Sequence, residues 1–348
     1  MERILSFIVP AYNVAWCLEK AVDSILCEAC MDEIEILIIN DGSTDTTAEI
    51  AEHYVARFPR TVRLINKENG GHGSAVNTGA CLARGKYFKV IDADDWIVTE
   101  NLPRFIDCLK TCEADVVLTP YHRVDMSDGS RQIWKMYCEE YERSYSLQEI
   151  VGSWKKFTRC CMFHGITYRT DFYRHQNHQL PEKIFYEDHE YSAVPFCHAE
   201  SVYPVNLYIY QYMVGNGEQS ISDKNRLKRL SHFEQVTKDL LLYLREHGDL
   251  PEAGREYLKL KIASAVPNYY EIACIIQPDK KQGRKDMKQF NRMLRQYAPD
   301  IYGWVRKKSC IFMLLGFFRM PAGLYHKRYA FKLYSCLRKA YALEEESN

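Results

Sequence analysis

Val90-Ile91-Asp92-Ala93-Asp94-Asp95 decides the reading of this chain. An apolar run from Tyr87 to Ile91 ends abruptly in carboxylates. Such a run, bounded by Gly and polar residues, reads as a buried strand. Side chains alternate along a strand, so Asp92 and Asp94 leave it on one side. Two acids side by side repel each other unless a cation neutralises them. The pattern therefore points to a site for a divalent metal and a phosphorylated ligand. The competing reading is an acidic turn that caps the next helix, which leaves the strand-end position of both acids unexplained.

Upstream, the same strand-then-polar pattern repeats. Leu5 to Pro10 and Ile34 to Ile39 are apolar runs, and Val62 to Ile65 is a third. Helical spacing covers Val14 to Leu26, and a helix capped by Thr44 or Asp45 runs to about Phe58. Gly70 to Gly73 opens another helix ending near Arg84-Gly85. Asn101 to Cys112 reads as a helix and Asp115 to Thr119 as a fifth strand. Alternating strands and helices imply a mostly parallel sheet with helices on both faces. Ligands bind such sheets outside the carboxyl ends of the strands, where Asp41 and Asp92 to Asp95 fall.

Ser127-Asp128-Gly129-Ser130 is a hairpin-turn pattern. A helix is expected over Glu187 to His198, and strands at Val202-Tyr203 and Leu207 to Met213. Beyond Asp223, Arg226 to Arg245 and Tyr257 to Ile276 carry helical spacing. The expected organisation is an α/β domain over 1–222, in two parts that meet at about 119–120. A helical region follows over 223–348.

The 348 residues carry a formal net charge of zero, but the charge is uneven. Residues 301–343 contain Arg306, Lys307, Lys308, Arg319, Lys327, Arg328, Lys332, Arg338 and Lys339 and no Asp or Glu. Phe312, Leu314, Phe317, Phe318 and Tyr325 interleave with these cations. The segment reads as an interfacial helix on anionic lipid, or as a helix packed on the protein with a basic face. No RNA-binding signature accompanies it, so nucleic acid is not an expected partner. The longest apolar run, Cys310 to Phe318, is short of the ~20 residues that span a bilayer. Thirteen scattered cysteines suit free thiols in a reducing cytoplasm, and Cys27-x-x-Cys30 has no second pair at matching spacing. Met1-Glu2-Arg3 leads straight into a strand without a leader pattern.

Four motifs in order carry a specific resemblance. They are Ser6-Phe7-Ile8-Val9-Pro10-Ala11-Tyr12-Asn13, Ile39-Asn40-Asp41-Gly42-Ser43-Thr44-Asp45, Glu68-Asn69-Gly70-Gly71 and Asp92-Ala93-Asp94-Asp95. Together they resemble the family 2 glycosyltransferases, inverting enzymes of the GT-A fold, a Rossmann-like α/β architecture. The resemblance implies a UDP-sugar donor, Mn²⁺ or Mg²⁺, and a hydroxyl of a glycan or polyprenyl-linked acceptor, with 1–222 as the catalytic domain, its nucleotide-sugar half to about 119 and its acceptor half about 120–222. A place in cell-surface polysaccharide synthesis, in the cytoplasm or peripherally on the inner face of the membrane, goes with it.

By the same resemblance, Pro10, Ala11, Tyr12, Asn13, Asp41, Gly71, Asn77, Asp92, Ala93 and Asp94 are nucleotide-binding positions. Tyr12 stacks on the base or packs in the crevice. Asp41 accepts from the uracil N3–H or serves its own turn. Asp92 contacts the ribose, Asp94 is the metal ligand, and Asp95 supports it. Ala75-Val76-Asn77 departs from the family's usual Ala-Arg-Asn, so a positive contact is missing unless His72 or Lys67 supplies it.

Phe185-Tyr186-Glu187-Asp188 resembles the family's Glu-Asp motif, which makes Asp188 the general base and Glu187 its orienting or acceptor-contacting neighbour. Taken by themselves, acids at a helix start also complement the helix dipole. Ser220, Ser222 and Arg226 resemble a loop that closes over donor and diphosphate, or form a plain surface loop. The rival classes are a nucleotidyltransferase, which needs a basic Gly-rich loop after the first strand, and a non-catalytic nucleotide-sugar-binding or membrane scaffold.

Overall fold

The computed structural model describes residues 3–215 and 222–326. Two compact units divide the chain: 1–219 with 247–258, and 220–246 with 259–348.

The first unit begins with β1 (Leu5–Ala11), α1 (Leu18–Ile25), β2 (Ile34–Asn40), α2 (Thr47–Arg57), β3 (Val62–Asn66), α3 (His72–Leu82) and β4 (Tyr87–Val90). Every residue of β1, β2 and β4 is buried, as in a parallel sheet covered on both faces. The chain continues through β5 (Trp96–Ile97), α4 (Leu102–Thr111), β6 (Val116–Leu118), β7 (Tyr121–Asp125) and β8 (Arg131–Trp134). Then come β9 (Tyr145–Ser146), α5 (Leu147–Gly152), α6 (Trp154–Phe157), β10 (Ile166–Arg169) and α7 (Thr170–His175). The unit's last elements before the second unit are α8 (Asp188–Tyr191), β11 (Ser201–Pro204) and β12 (Tyr210–Val214).

The main sheet runs β3-β2-β1-β4-β10-β6-β11-β9. Its β3-β2-β1-β4 half is parallel throughout. β10 enters antiparallel between β4 and β6, so the sheet is mixed at its centre. A second sheet, β5-β12-β7-β8, stands beyond the carboxyl ends of the first. The hairpin turn at 127–130 joins β7 to β8, as its sequence signals. Chain order reverses at β1, which lies between β2 and β4, and this switch point opens the crevice where Asp41 and Asp92 emerge.

Three elements differ from their sequence signals. The first helix starts at Leu18 because Asn13 adopts φ +53° and turns the chain. The helix expected from Glu187 to His198 stops at Tyr191, and Pro195 separates it from a short 3₁₀ turn at Phe196–His198. The last strand of the unit is β12, displaced toward Val214.

Residues 247–258, assigned by sequence to the helical region, group with the first unit. Tyr257 stacks on Phe196 at 4.4 Å and its hydroxyl donates to Ser192 O at 2.9 Å.

The second unit holds α9 (Asp223–Lys228), α10 (Leu230–Glu246), the end of α11 (Glu252–Glu271), α12 (Lys280–Tyr297), α13 (Pro299–Phe317) and α14 (Ala322–His326). Tyr269 stacks on Phe290 at 3.8 Å. A buried chain from Tyr270 through Asn291 to Ser309 joins α11, α12 and α13. The π-helical turn at Ile272–Ile276 follows the internal Pro267, a known cause of helix distortion. No helix among the described residues is long and apolar enough to cross a membrane.

Candidate active site

The crevice is built from the loops that follow β1, β2, β3 and β4. Pro10 and Ala11 finish β1 and Ala11 is buried. Tyr12, the next residue, is 51% exposed and leaves a ring face open to solvent. Asn13 then ties this loop to the one after β2. Its side-chain oxygen accepts from Thr44 N at 2.8 Å, and its own N–H donates to Ser43 Oγ at 3.1 Å. Asn suits the left-handed backbone needed there. The N-cap of α2 is Thr46 rather than the expected Thr44 or Asp45, and Asp45 accepts from Thr47 N at 3.0 Å in the turn before the helix.

Asp41 is almost wholly buried, and its carboxylate organises the glycine loop. It accepts from Lys67 Nζ at 2.7 Å, from Gly70 N at 2.9 Å and from Gly71 N at 2.7 Å. Lys67, one of the two cations considered for a missing positive contact, is thus held on Asp41.

After β4 the chain turns through Asp92, Ala93, Asp94 and Asp95, with Asp95 N donating to Asp92 O. Asp95 is buried and holds the turn against β12. It accepts from Tyr210 Oη at 2.5 Å and from Met213 N at 2.6 Å. Burial, then the charges of Asp92 and Asp94, push its carboxyl well above the ordinary carboxylate range.

Asp92, Asp95 and His164 each offer a ligand atom, all within 4.8 Å of one another. His164 is held neutral by burial, its pKa pushed down to about 4, and its buried Nδ1 has no hydrogen-bond partner among the described residues. A neutral imidazole nitrogen beside crowded carboxylates suits a divalent ion such as Mn²⁺. Asp94 is half-buried on the same turn but outside that trio. The fully buried Lys89 donates to His164 O at 2.8 Å and Ile166 O at 3.0 Å.

The segment from Leu180 to Asp188 is tied to α3. Gly71, at φ +87°, passes so close that an added Cβ would lie 2.9 Å from Lys183 N. Asn77 Nδ2 donates to Leu180 O at 2.9 Å, and Leu180 N donates to Asn77 Oδ1 at 3.0 Å. Ser74 Oγ donates to Glu182 Oε1 at 2.8 Å. Gly71 and Asn77 are therefore loop-holding contacts in this structure.

His72 completes the tie, with Nε2 2.8 Å from Asp92 and Nδ1 2.6 Å from Glu187. Burial opposes its charge, but the two carboxylates outweigh this and raise its pKa well above the ordinary histidine value. His72, the other cation considered for a missing positive contact, is thus held between Asp92 and Glu187. Glu187 is 5% exposed and spent on His72, whereas Asp188 opens α8 half-buried. The Asp188 carboxylate acts electrostatically on His164 and Tyr212, which puts it on the same side as the metal-type cluster.

Ser220 lies outside the described residues. Ser222 precedes α9, and Arg226 in that helix pairs with Glu271 at 3.2 Å within the second unit. Sequence reasoning passed over His164, Tyr210 and Lys89. Lys89 alone left a signal, a cation inside an otherwise apolar strand.

Residues 6–175 match the family model for glycosyl transferase family 2. The uncharacterized glycosyltransferase EpsJ of Bacillus subtilis is 30% identical over 224 residues, which cover 61% of this chain and 62% of that protein. Glycosyltransferase GlyG of Streptococcus pneumoniae is 32% identical over 160 residues, 44% of this chain and 52% of that one. The matched part of the chain thus spans only about half to three fifths of these relatives. Among solved structures, residues 1–349 of S. aureus TarS in complex with UDP-GlcNAc align with a TM-score of 0.64 and 18% identity over 90% of each chain. The mannosyltransferase PcManGT of Pyrobaculum calidifontis, in complex with GDP-Man and Mn²⁺, aligns at 0.50 with 15% identity over 90% of this chain and 88% of that one. At these identities the structural likeness concerns the fold.

Proposed function

The chain belongs to the family 2 glycosyltransferases, with the GT-A fold, and we infer that it moves a sugar from a UDP-sugar to an acceptor hydroxyl with inversion. The observation that carries this reading is the opposition of two acidic groups across one crevice. Asp92, Asp94 and Asp95 stand at the end of β4, and Glu187-Asp188 faces them through His72. The TarS complex with UDP-GlcNAc, the same fold, supports a UDP-sugar as donor.

The acceptor oxygen attacks the anomeric carbon, the bond from that carbon to the diphosphate oxygen breaks, and UDP departs. Asp188 takes the acceptor proton. Attack opposite the leaving group turns an α-linked donor into a β-linked product. Tyr12 offers its exposed ring to the base, and Asp92 reaches the ribose. Asp92, Asp94, Asp95 and His164 are the residues that would hold a divalent ion. Such an ion supplies Lewis-acid neutralisation of the departing diphosphate.

The acceptor class we favour is a glycan or polyprenyl-linked glycan. Exposed Leu314, Phe317 and Phe318 beside Arg319 support a peripheral contact with anionic lipid, while 327–343 of that segment lie outside the described residues. Pelleting with anionic but not neutral vesicles tests that contact.

Calorimetric titration of UDP with and without Mn²⁺ tests the donor site. Metal-dependent binding that Asp94→Ala abolishes is the expected result. A wild type that binds no UDP overturns the UDP assignment. Turnover by Asp188→Asn equal to wild type overturns the catalytic base.

A further inference from the structure

His72 uses both ring nitrogens on carboxylates from distant parts of the chain, Asp92 and Glu187. The ring thus bridges two carboxylates, one through each nitrogen, 2.6 Å from Glu187 and 2.8 Å from Asp92. Its two partners differ in kind. Asp92 ends the strand on the donor side, and Glu187 directly precedes the base candidate Asp188.

The segment leading to Asp188 is under backbone strain. Lys183 and Tyr186 both lie in the left-handed region, at φ +55° and +70°. A bulky residue in that region persists only where its surroundings over-determine it. The start of α3 and the loop before it supply four restraints. Lys183 N donates to Gly70 O at 2.7 Å, Ser74 holds Glu182, Asn77 holds Leu180, and His72 holds Glu187. Of these, His72 is the contact nearest Asp188 in the chain, and it alone also grips the donor-side turn.

We propose that His72 is the positioning residue that locks the Glu187-Asp188 segment to the donor-side carboxylate Asp92, so that donor and base are held in register. The inference rests on the glycosyltransferase reading. His72 acts through Glu187 and touches neither reacting atom.

Kinetics of His72→Ala, with UDP affinity in Mn²⁺ measured in parallel, tests this. The expected kcat loss is about 100-fold, with the Kd for UDP within about threefold of wild type, as fits a group that acts on the transition state rather than on ground-state binding. Free imidazole should restore part of kcat, because the His72 side chain is 30% exposed and its place is reachable. Glu187→Gln added to His72→Ala should cost little more, since both break one contact.

A kcat within threefold of wild type overturns the proposal. So does a loss of UDP affinity as large as that of Asp94→Ala, which would make His72 a phosphate contact. If His72→Ala does not fold, His72→Gln, which keeps one of the two bonds, is expected to give an intermediate kcat. Imidazole ¹⁵N spectra read the bridge without turnover. A His72 ring signal that shifts in Glu187→Gln is expected, and one that does not shift overturns the bridge. An active wild type with an unaffected His72 variant defeats the positioning role alone, whereas a wild type that neither binds UDP nor transfers defeats the underlying reading.

Discussion

Tyr210 closes a ring with the Asp92–Asp95 turn, donating to Asp95 Oδ2 at 2.5 Å and accepting from Asp92 N at 3.2 Å. One hydroxyl thus joins β12 of the small sheet to the turn that ends β4. Tyr210→Phe leaves the buried Asp95 and the Asp92 amide each short of a partner. The expected destabilisation is about 1–3 kcal/mol, read by urea unfolding. UDP binding in Mn²⁺ should weaken with it. Unchanged stability and affinity would mean that Met213 N holds Asp95 unaided.

His164 sits in an aromatic cage, 4.1 Å from the Tyr212 ring and 4.9 Å from that of Tyr210. Its neutral ring and an Nδ1 without a hydrogen-bond partner among the described residues suit it to be the nitrogen donor of a metal site. His164→Ala is expected to weaken Mn²⁺-dependent UDP binding about 10-fold or more while leaving metal-free binding alone. Calorimetry with Mn²⁺ and with a chelator checks this. Equal losses in both conditions would assign the residue to packing.

Asn77 exchanges two hydrogen bonds with the Leu180 backbone. Asn77→Ala removes both, at a cost of about 2 kcal/mol, and frees the strained segment before Asp188. Melting temperature should fall, and kcat should fall more than UDP affinity. A loss of UDP affinity with kcat preserved would instead make Asn77 a direct nucleotide contact.

Lys89 is wholly buried, and burial lowers its pKa from 10.5 to about 7. Between those values the unfolded chain binds a proton that the folded chain lacks. Stability therefore rises with pH across this window, by up to ~1.4 kcal/mol per pH unit from this group. Denaturation from pH 7 to 10 should show that slope in wild type, and Lys89→Met should flatten it. An identical slope in both would assign the dependence to other groups.

The nucleotide half was legible because its signals are local. Apolar runs that end in Asn40-Asp41-Gly42 and in Asp92-Ala93-Asp94-Asp95 put strand ends and polar loops in one order, and parallel pairing with right-handed connections then leaves few arrangements. The helix at 187–198 and the register of the last strand were less legible. Pro195 and the second sheet override the periodicity there. β10 gives no warning that it will run antiparallel beside β4, because strand direction is set by a partner and not by composition.

By itself, the sequence determined the alternation of strand and helix, the acidic turn after β4 and the place of Glu187-Asp188 in the chain. Only the tertiary structure decided which groups meet. Tyr210 reaches Asp95, and His72 reaches Glu187, each across 115 positions. His164 joins the acids, while Asp41 and Asn77 are spent holding loops. Periodicity and turn chemistry report only on neighbours within a few residues, whereas the bonds that shape this crevice form after distant segments have packed.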